Sequence, residues 1–172
     1  MHAPYQSSPI YDFARVVQRA VCLFKSYSEQ GAPGPEHGTA TITQYESGTI
    51  IQLDLYGLPP GLHGFHIHTD RDLSKGCASL GSHYNPYDHT HGALNQTNSH
   101  RGDLGDIKVD AAGRCISQIN SDYVHLNGKY SVVGRSMIIH ADPDDMGLGG
   151  FPDSHETGHS GARIACGIIR AM

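Results

Sequence analysis

The chain predicts an all-β fold, a sandwich or barrel of about eight short strands. Glycine is abundant at 21 of 172 residues, tryptophan is absent, and long apolar stretches with helical spacing are scarce. Short β-branched or alternating segments recur along the chain, separated by turns rich in Gly, Pro, Asn and Asp. Two long irregular segments, 69–105 and 141–162, interrupt them.

Residues 1–18 read as an extension ahead of a single domain, 19–172. Pro4, Ser7, Ser8 and Pro9 make its start irregular, and Val16, Val17, Ala20 and Val21 follow helical spacing. A short helix over 13–19 feeding a buried strand over 20–24 reconciles the two patterns. Residues 31–35, Gly-Ala-Pro-Gly-Pro, predict a loop. Residues 39–45 are β-branched and predict a strand. In 49–56, Ile51, Leu53 and Leu55 share one face and Gln52 and Asp54 the other, as a half-buried strand requires. Pro59-Pro60-Gly61 breaks the chain before the strand that holds His66 and His68. Further strands are expected at 107–109, 114–119, 122–126, 131–140 and 163–169.

A net charge of −5 argues against nucleic acid as a partner. No apolar run approaches a membrane span, and no basic stretch precedes an apolar run near the start. Neither a membrane anchor nor a secretory leader is therefore expected, and the expected location is cytoplasmic. Cys22, Cys77, Cys115 and Cys166 are too scattered for a CxxC site; their spacing leaves all pairings open, as well as four buried thiols.

The chemistry concentrates in His66, His68, His83, His91, His100, Asp103 and His140. Side chains at i and i+2 of a strand point the same way, so His66 and His68 present two imidazoles side by side. Imidazole binds copper and zinc, and a carboxylate can complete a zinc tetrahedron. His83, His91, His100 and Asp103 make a closed set suited to structural zinc. His66, His68 and His140 lie on strands and can form an open, all-imidazole site, which suits redox-active copper. A structureless loop as long as 69–105 is uncommon unless functional, and this one carries four of the seven candidates.

These motifs, in order and mutually spaced, resemble the copper/zinc superoxide dismutase family over roughly residues 20–170. They are Gly64-Phe65-His66-Ile67-His68, Gly76-Cys77, His83-Tyr84-Asn85-Pro86, His91-Gly92 and His100-Arg101-Gly102-Asp103-Leu104-Gly105. Val133-Gly134-Arg135, Ile139-His140 and Gly161-Ala162-Arg163-Ile164-Ala165-Cys166-Gly167 complete them. The resemblance implies an eight-stranded Greek-key β-barrel with one copper and one zinc per subunit. It implies copper on His66, His68, His83 and His140, zinc on His83, His91, His100 and Asp103, and His83 as an imidazolate bridge. Asp144 would join a ligand of each metal, Arg163 would stand beside copper, and Cys77 and Cys166 would form a disulfide. The implied substrate is the superoxide anion, dismutated to dioxygen and hydrogen peroxide. The implied partners are a second copy in a homodimer and a copper chaperone. The alternative is a non-catalytic copper/zinc carrier, or a copper-chaperone-like domain, on the same fold.

The chain departs from the family in three places. Where the animal and plant enzymes place lysine near the channel mouth, it has Ser154-His155-Glu156-Thr157, and Asp142 stands two residues after His140. Weak steering of the anion is expected, partly restored below about pH 6.5 by protonation of His155 and His159. After His68 come Asp70 and Arg71, whose charges remove apolar contact from the usual dimer interface, so a monomer or a re-set dimer is the alternative. The third departure is the length of the 1–18 extension and of the 31–35 loop.

Overall fold

The computed structural model describes residues 16–172. Strand β1 (Val16–Tyr27) runs into β2 (Pro33–Tyr45) and β3 (Gly48–Leu55) as a meander. Strand β4 (Gly61–His68) then opens the first long loop, within which lies the short β5 (Ser74–Cys77). Strands β6 (Asp103–Val109) and β7 (Cys115–Ser121) follow, then β8 (Ser136–His140), the second long loop and β9 (Arg163–Ala171). Eight strands form one antiparallel sheet in the order β6-β4-β8-β9-β1-β2-β3-β7. The end strands β6 and β7 lie near each other, joined by the 110–114 turn, so the sheet curls into a near-closed barrel. The links β3–β4 and β7–β8 cross between its halves, which is the Greek-key pattern.

Alternation explains how the barrel carries its site. Ile51, Leu53 and Leu55 point into the core while Gln52 and Asp54 face solvent, as expected for β3. On β4, Phe65 and Ile67 fill the same core, leaving His66 and His68 on the outer face. On β8, Met137 and Ile139 point inward and His140 outward, with Ile138 in a second, smaller apolar cluster. That cluster joins Cys77, Leu80, Ile138 and Cys166 and seats the first long loop on the barrel's outer face. A Cys77–Cys166 disulfide, Cα–Cα 5.8 Å, ties the loop to β9. Cys22 and Cys115 are free, buried thiols.

Several expected elements differ. Residues 16–19 are strand, paired with β2 from Val16↔Tyr45 onward, rather than the end of a helix; the rest of that expected helix, 13–15, lies outside the described residues. Pro33–Pro35 belong to β2 rather than a loop. At that end β2 pairs with β1 alone, because pairing with β3 begins at Gly38, and an edge position tolerates proline. Residues 122–126 are irregular: Val124 and Leu126 are buried, but outside the named strands His125 makes only an isolated bridge to Ser131. The strand expected over 131–140 is confined to Ser136–His140. The second long loop, expected to be irregular, contains one short helix, α1 (Ser154–Thr157).

The disulfide closes a separation of 89 residues, so replacing both partners (Cys77→Ser with Cys166→Ser) removes a large constraint on the unfolded chain. We expect a loss of about 3 kcal/mol in urea unfolding; an unchanged midpoint would show that the apolar cluster alone seats the loop.

Candidate metal centre

Three backbone hydrogen bonds assemble the centre. Ile67 N–H donates to Gly102 O (2.8 Å), Tyr84 N–H to Ile67 O (2.8 Å) and Gly102 N–H to Tyr84 O (2.9 Å). The flanking residues are His66 and His68, His83, and Arg101 and Asp103, so this knot brings three separate stretches together. Glycine is required at its crossing, because a Cβ on Gly102 would collide with Ile67 O and stand 3.0 Å from Tyr84 N.

Two convergent donor sets result. His66, His68, His83 and His140 offer ring nitrogens within 4.8 Å of one another, and all four are buried. On each of these rings one buried nitrogen lacks a hydrogen-bond partner: His66 Nδ1, His68 Nε2, His83 Nε2 and His140 Nε2. The opposite nitrogens are engaged. His66 Nε2–H donates to Asp144 Oδ2 (2.7 Å), His68 Nδ1–H to Gly81 O (2.9 Å) and His140 Nδ1–H to Gly161 O (3.2 Å). Such bonds fix the tautomer and aim the free lone pair into the site. Four unpaired buried nitrogens facing one point fit a soft or borderline cation such as copper.

The second set is His66, His83, His91 and Asp103, again within 4.8 Å, with His100 at its side. Asp103 Oδ1 lies 2.9 Å from His83 Nδ1, 3.0 Å from His91 Nδ1 and 3.2 Å from His100 Nδ1. His100 Nδ1 is 3.3 Å from His83 Nδ1. A tetrahedral zinc with bonds of about 2.0–2.1 Å has ligand edges of about 3.3 Å, which these separations approach. His100 completes this cage better than His66, whose nitrogens serve Asp144 and the first set.

Burial dominates the electrostatics. It drives His66, His68 and His83 below the ordinary imidazole value, and His140 down to about 4. Burial would also lower His91, but the Asp103 and Asp144 carboxylates outweigh it and hold that ring at about 9. Burial would raise Asp103; its contacts with His100, His83 and His91 prevail and hold it well below the usual carboxylate range. Its Oδ2 also accepts the N–H groups of Gly92 and His100, each at 3.0 Å. Asp144 joins the two sets, accepting from His66 on Oδ2 and from His91 on Oδ1, both at 2.7 Å.

The first set opens to a cleft of about 500 Å³ whose lining includes His68, His83, His140, Asp153, Glu156 and Arg163. Arg163 is fixed there by donating from Nη1 to Cys77 O (2.9 Å) and from Nη2 to Gly81 O (2.7 Å). Burial lowers its basicity from the usual value. The sequence alone does not single out Asp153. The run Asp153-Ser154-His155-Glu156 has the residue order of a helix-capping box and could have announced α1. Asp153 instead binds Thr157 (3.0 Å) and His159 (2.7 Å), and His159 stacks on Phe151. His155 is exposed and its carbonyl accepts His91 N–H at 2.7 Å. His63 is structural: its two ring nitrogens lie 2.8 Å from His140 O and 2.7 Å from Pro59 O.

Fold and site together define a Greek-key barrel protein with two histidine-rich metal sites consistent with copper and zinc. The model for copper/zinc superoxide dismutase (SODC) matches residues 36–169, and the chain belongs to that family. It is 40% identical over 160 residues to an extracellular superoxide dismutase [Cu-Zn] of Haemonchus contortus, covering 92% of this chain and 86% of that one. It also resembles the crystal structure of the clock protein EA4, with a TM-score of 0.80, 35% identity and full coverage of both chains.

The metal-stripped protein should be least stable at the extremes of pH. As pH falls below 6.5 the unfolded chain protonates its histidines first, while His140 resists down to about 4. Stability therefore falls across that window, by about 3 kcal/mol for this ring alone. His91 acts oppositely: its contribution is complete below 6.5 and lost as pH rises through about 9. Urea midpoints between pH 4 and pH 10 check this, and a profile flat over the acid window would contradict it.

Proposed function

We propose that this chain dismutates superoxide: two anions and two protons give one dioxygen and one hydrogen peroxide. The observation that carries the reading is the orientation of His83, whose Nδ1 faces Asp103 and His100 while its unpaired Nε2 belongs with His66, His68 and His140. In this reading His66, His68, His83 and His140 hold copper, and His83, His91, His100 and Asp103 hold zinc. Copper would supply one-electron chemistry in both directions, which zinc cannot.

The remaining roles fall to the chain's own groups. His83 is shared by both sets, so its ring is held from one side while Nε2 remains able to take and give a proton. Asp144 fixes the tautomers of His66 and His91 together. Arg163, with two donors committed to carbonyls, presents the rest of its guanidinium to a small anion in the cleft. Asp153 and Glu156 on the same lining oppose that charge, so long-range attraction is weak and Arg163 selects at short range. A metal carrier is the second reading. The complete four-imidazole set beside Arg163 favours catalysis over it, and the sequence offers no CxxC transfer motif.

Protein loaded with both metals should consume superoxide, with a rate that depends only shallowly on ionic strength. Glu156→Lys should raise the rate at low salt and steepen its decline as salt is added. Stoichiometric copper and zinc without dismutation would favour the carrier; a steep salt dependence in the unaltered protein would refute weak steering.

For assembly we propose a homodimer, with Val133 and Ile168 as apolar contributors and with the exposed Asp70 and Arg71 removing apolar contact from the family's usual interface. Sedimentation at micromolar concentration should give twice the chain mass; a single-chain mass would rule the dimer out. Copper delivery by a chaperone belongs to the same proposal. Among the described residues no helix is long and apolar enough to cross a membrane. The cytoplasmic location expected from the sequence competes with an extracellular one, which the disulfide and the name of the Haemonchus contortus relative support. Fractionation of the source cells decides between them.

A further inference from the structure

We propose that Asp106 is a positioning residue, which holds Asp144 from the barrel so that one carboxylate serves both donor sets. The proposal rests on the two-metal reading above. Asp106 lies on β6, three residues after Asp103. In an unbroken strand, residues three apart face opposite sides. Here the β4–β6 ladder shifts register: His66 pairs with Asp103 but Gly64 pairs with Asp106, so three steps on β6 match two on β4. Gly105, at φ +79°, lies within this irregularity. A bulge of this kind re-aims a side chain, and it turns both Asp103 and Asp106 toward the loops.

The result is a paired anchor. Asp106 Oδ1 accepts the backbone N–H of Asp144 at 2.8 Å, and its register partner Gly64 donates its own N–H to Asp142 O at 2.9 Å. The start of the second long loop is thereby pinned to the same strand pair that presents His66 and Asp103. By contrast, the next amide, Asp145 N–H, bonds within its own loop, to Gly158 O. Asp144 then spends Oδ1 on His91 and on Met146 N–H, and Oδ2 on His66. A shift of its backbone would move both ring contacts at once, so Asp106 bears on copper and zinc alike. Burial above all, with the Asp144 charge, disfavours an anion at Asp106 and outweighs the opposing effect of the Asp144 N–H, so the carboxyl is shifted upward. Asparagine, neutral and still carrying an acceptor oxygen, should therefore replace it.

The test compares wild type, Asp106→Ala and Asp106→Asn, loaded with copper and zinc and then challenged with a chelator. Asp106→Ala should hold both metals about 10–100-fold more weakly, the usual effect of losing an outer partner, and so yield them faster to the chelator, while Asp106→Asn stays close to wild type. Cobalt(II) placed in the zinc-type set should show an altered visible spectrum in the Ala variant only. Urea unfolding of the metal-stripped proteins should give similar midpoints, which separates positioning from a general loss of folding. Release from Asp106→Ala at the wild-type rate overturns the proposal, as does an Asn variant as leaky as Ala. The Asn variant decides alone if the Ala variant does not fold. Wild type that retains neither metal overturns the two-metal reading itself, and this proposal with it.

Discussion

Ile67, Tyr84 and Gly102 exchange three short backbone hydrogen bonds across the outer face of the barrel, and the metal centre hangs on them. Ile67 is a core residue of β4, buried completely against the barrel interior. The same residue thus anchors the hydrophobic core and, through its N–H and C=O, the far end and the middle of the first long loop, at Gly102 and Tyr84. Because His66 and His68 flank it, the loop's ligands are positioned relative to a rigid strand rather than to one another. Backbone bonds of this kind, closed off from water, are costly to open. A loop of more than thirty residues between β4 and β6 can therefore hold its side chains in a fixed relation to the strand.

Placing so many imidazoles and two carboxylates inside protein is unfavourable unless each polar atom has a partner. The structure divides the problem. Carbonyls of Gly81 and Gly161 take the outer N–H of His68 and His140, and Asp144 takes those of His66 and His91. That leaves inward-facing nitrogens without a partner in the protein, free to accept a cation. Asp103 supplies one negative charge to the second set, while no carboxylate belongs to the first, all-imidazole set. The asymmetry matches a hard-edged structural site beside a more adaptable one.

Much of this was readable in the chain because it follows from local rules. Alternation in β3 and the His66-Ile67-His68 spacing need only the strand period. The ordered motifs of the two long loops name the candidate donors without any knowledge of their approach. What escaped depends on partners distant in sequence. Proline in β2 is tolerated because β3 has not yet begun to pair there. Residues 122–126 alternate well enough but have no neighbouring strand to join, so Val124 and Leu126 are buried as irregular chain. Residues 16–19 carry a helical spacing that the pairing with β2 overrides. Asp106 was invisible because its orientation depends on a register shift, and nothing in the residue run 103–106 signals the shift except Gly105.

The cleft above the first set joins these threads. Asp153 and Glu156 line it together with Arg163, and the chain as a whole is negative. At physiological ionic strength, charges further apart than about 8 Å are largely screened, so the balance among these three groups near the opening matters more than the net charge. Arg163 holds its place through Cys77 O and Gly81 O. Gly81 O also receives His68, and Cys77 is bonded to Cys166, on the strand that carries Arg163 itself. The guanidinium, one ring of the first set and the disulfide therefore share a single framework. A guanidinium has five N–H donors, and with two spent on these carbonyls the others remain for a ligand. In the proposed reading, selection of an anion in this cleft acts at contact distance, through the fixed guanidinium, because Asp153 and Glu156 on the same lining oppose its charge.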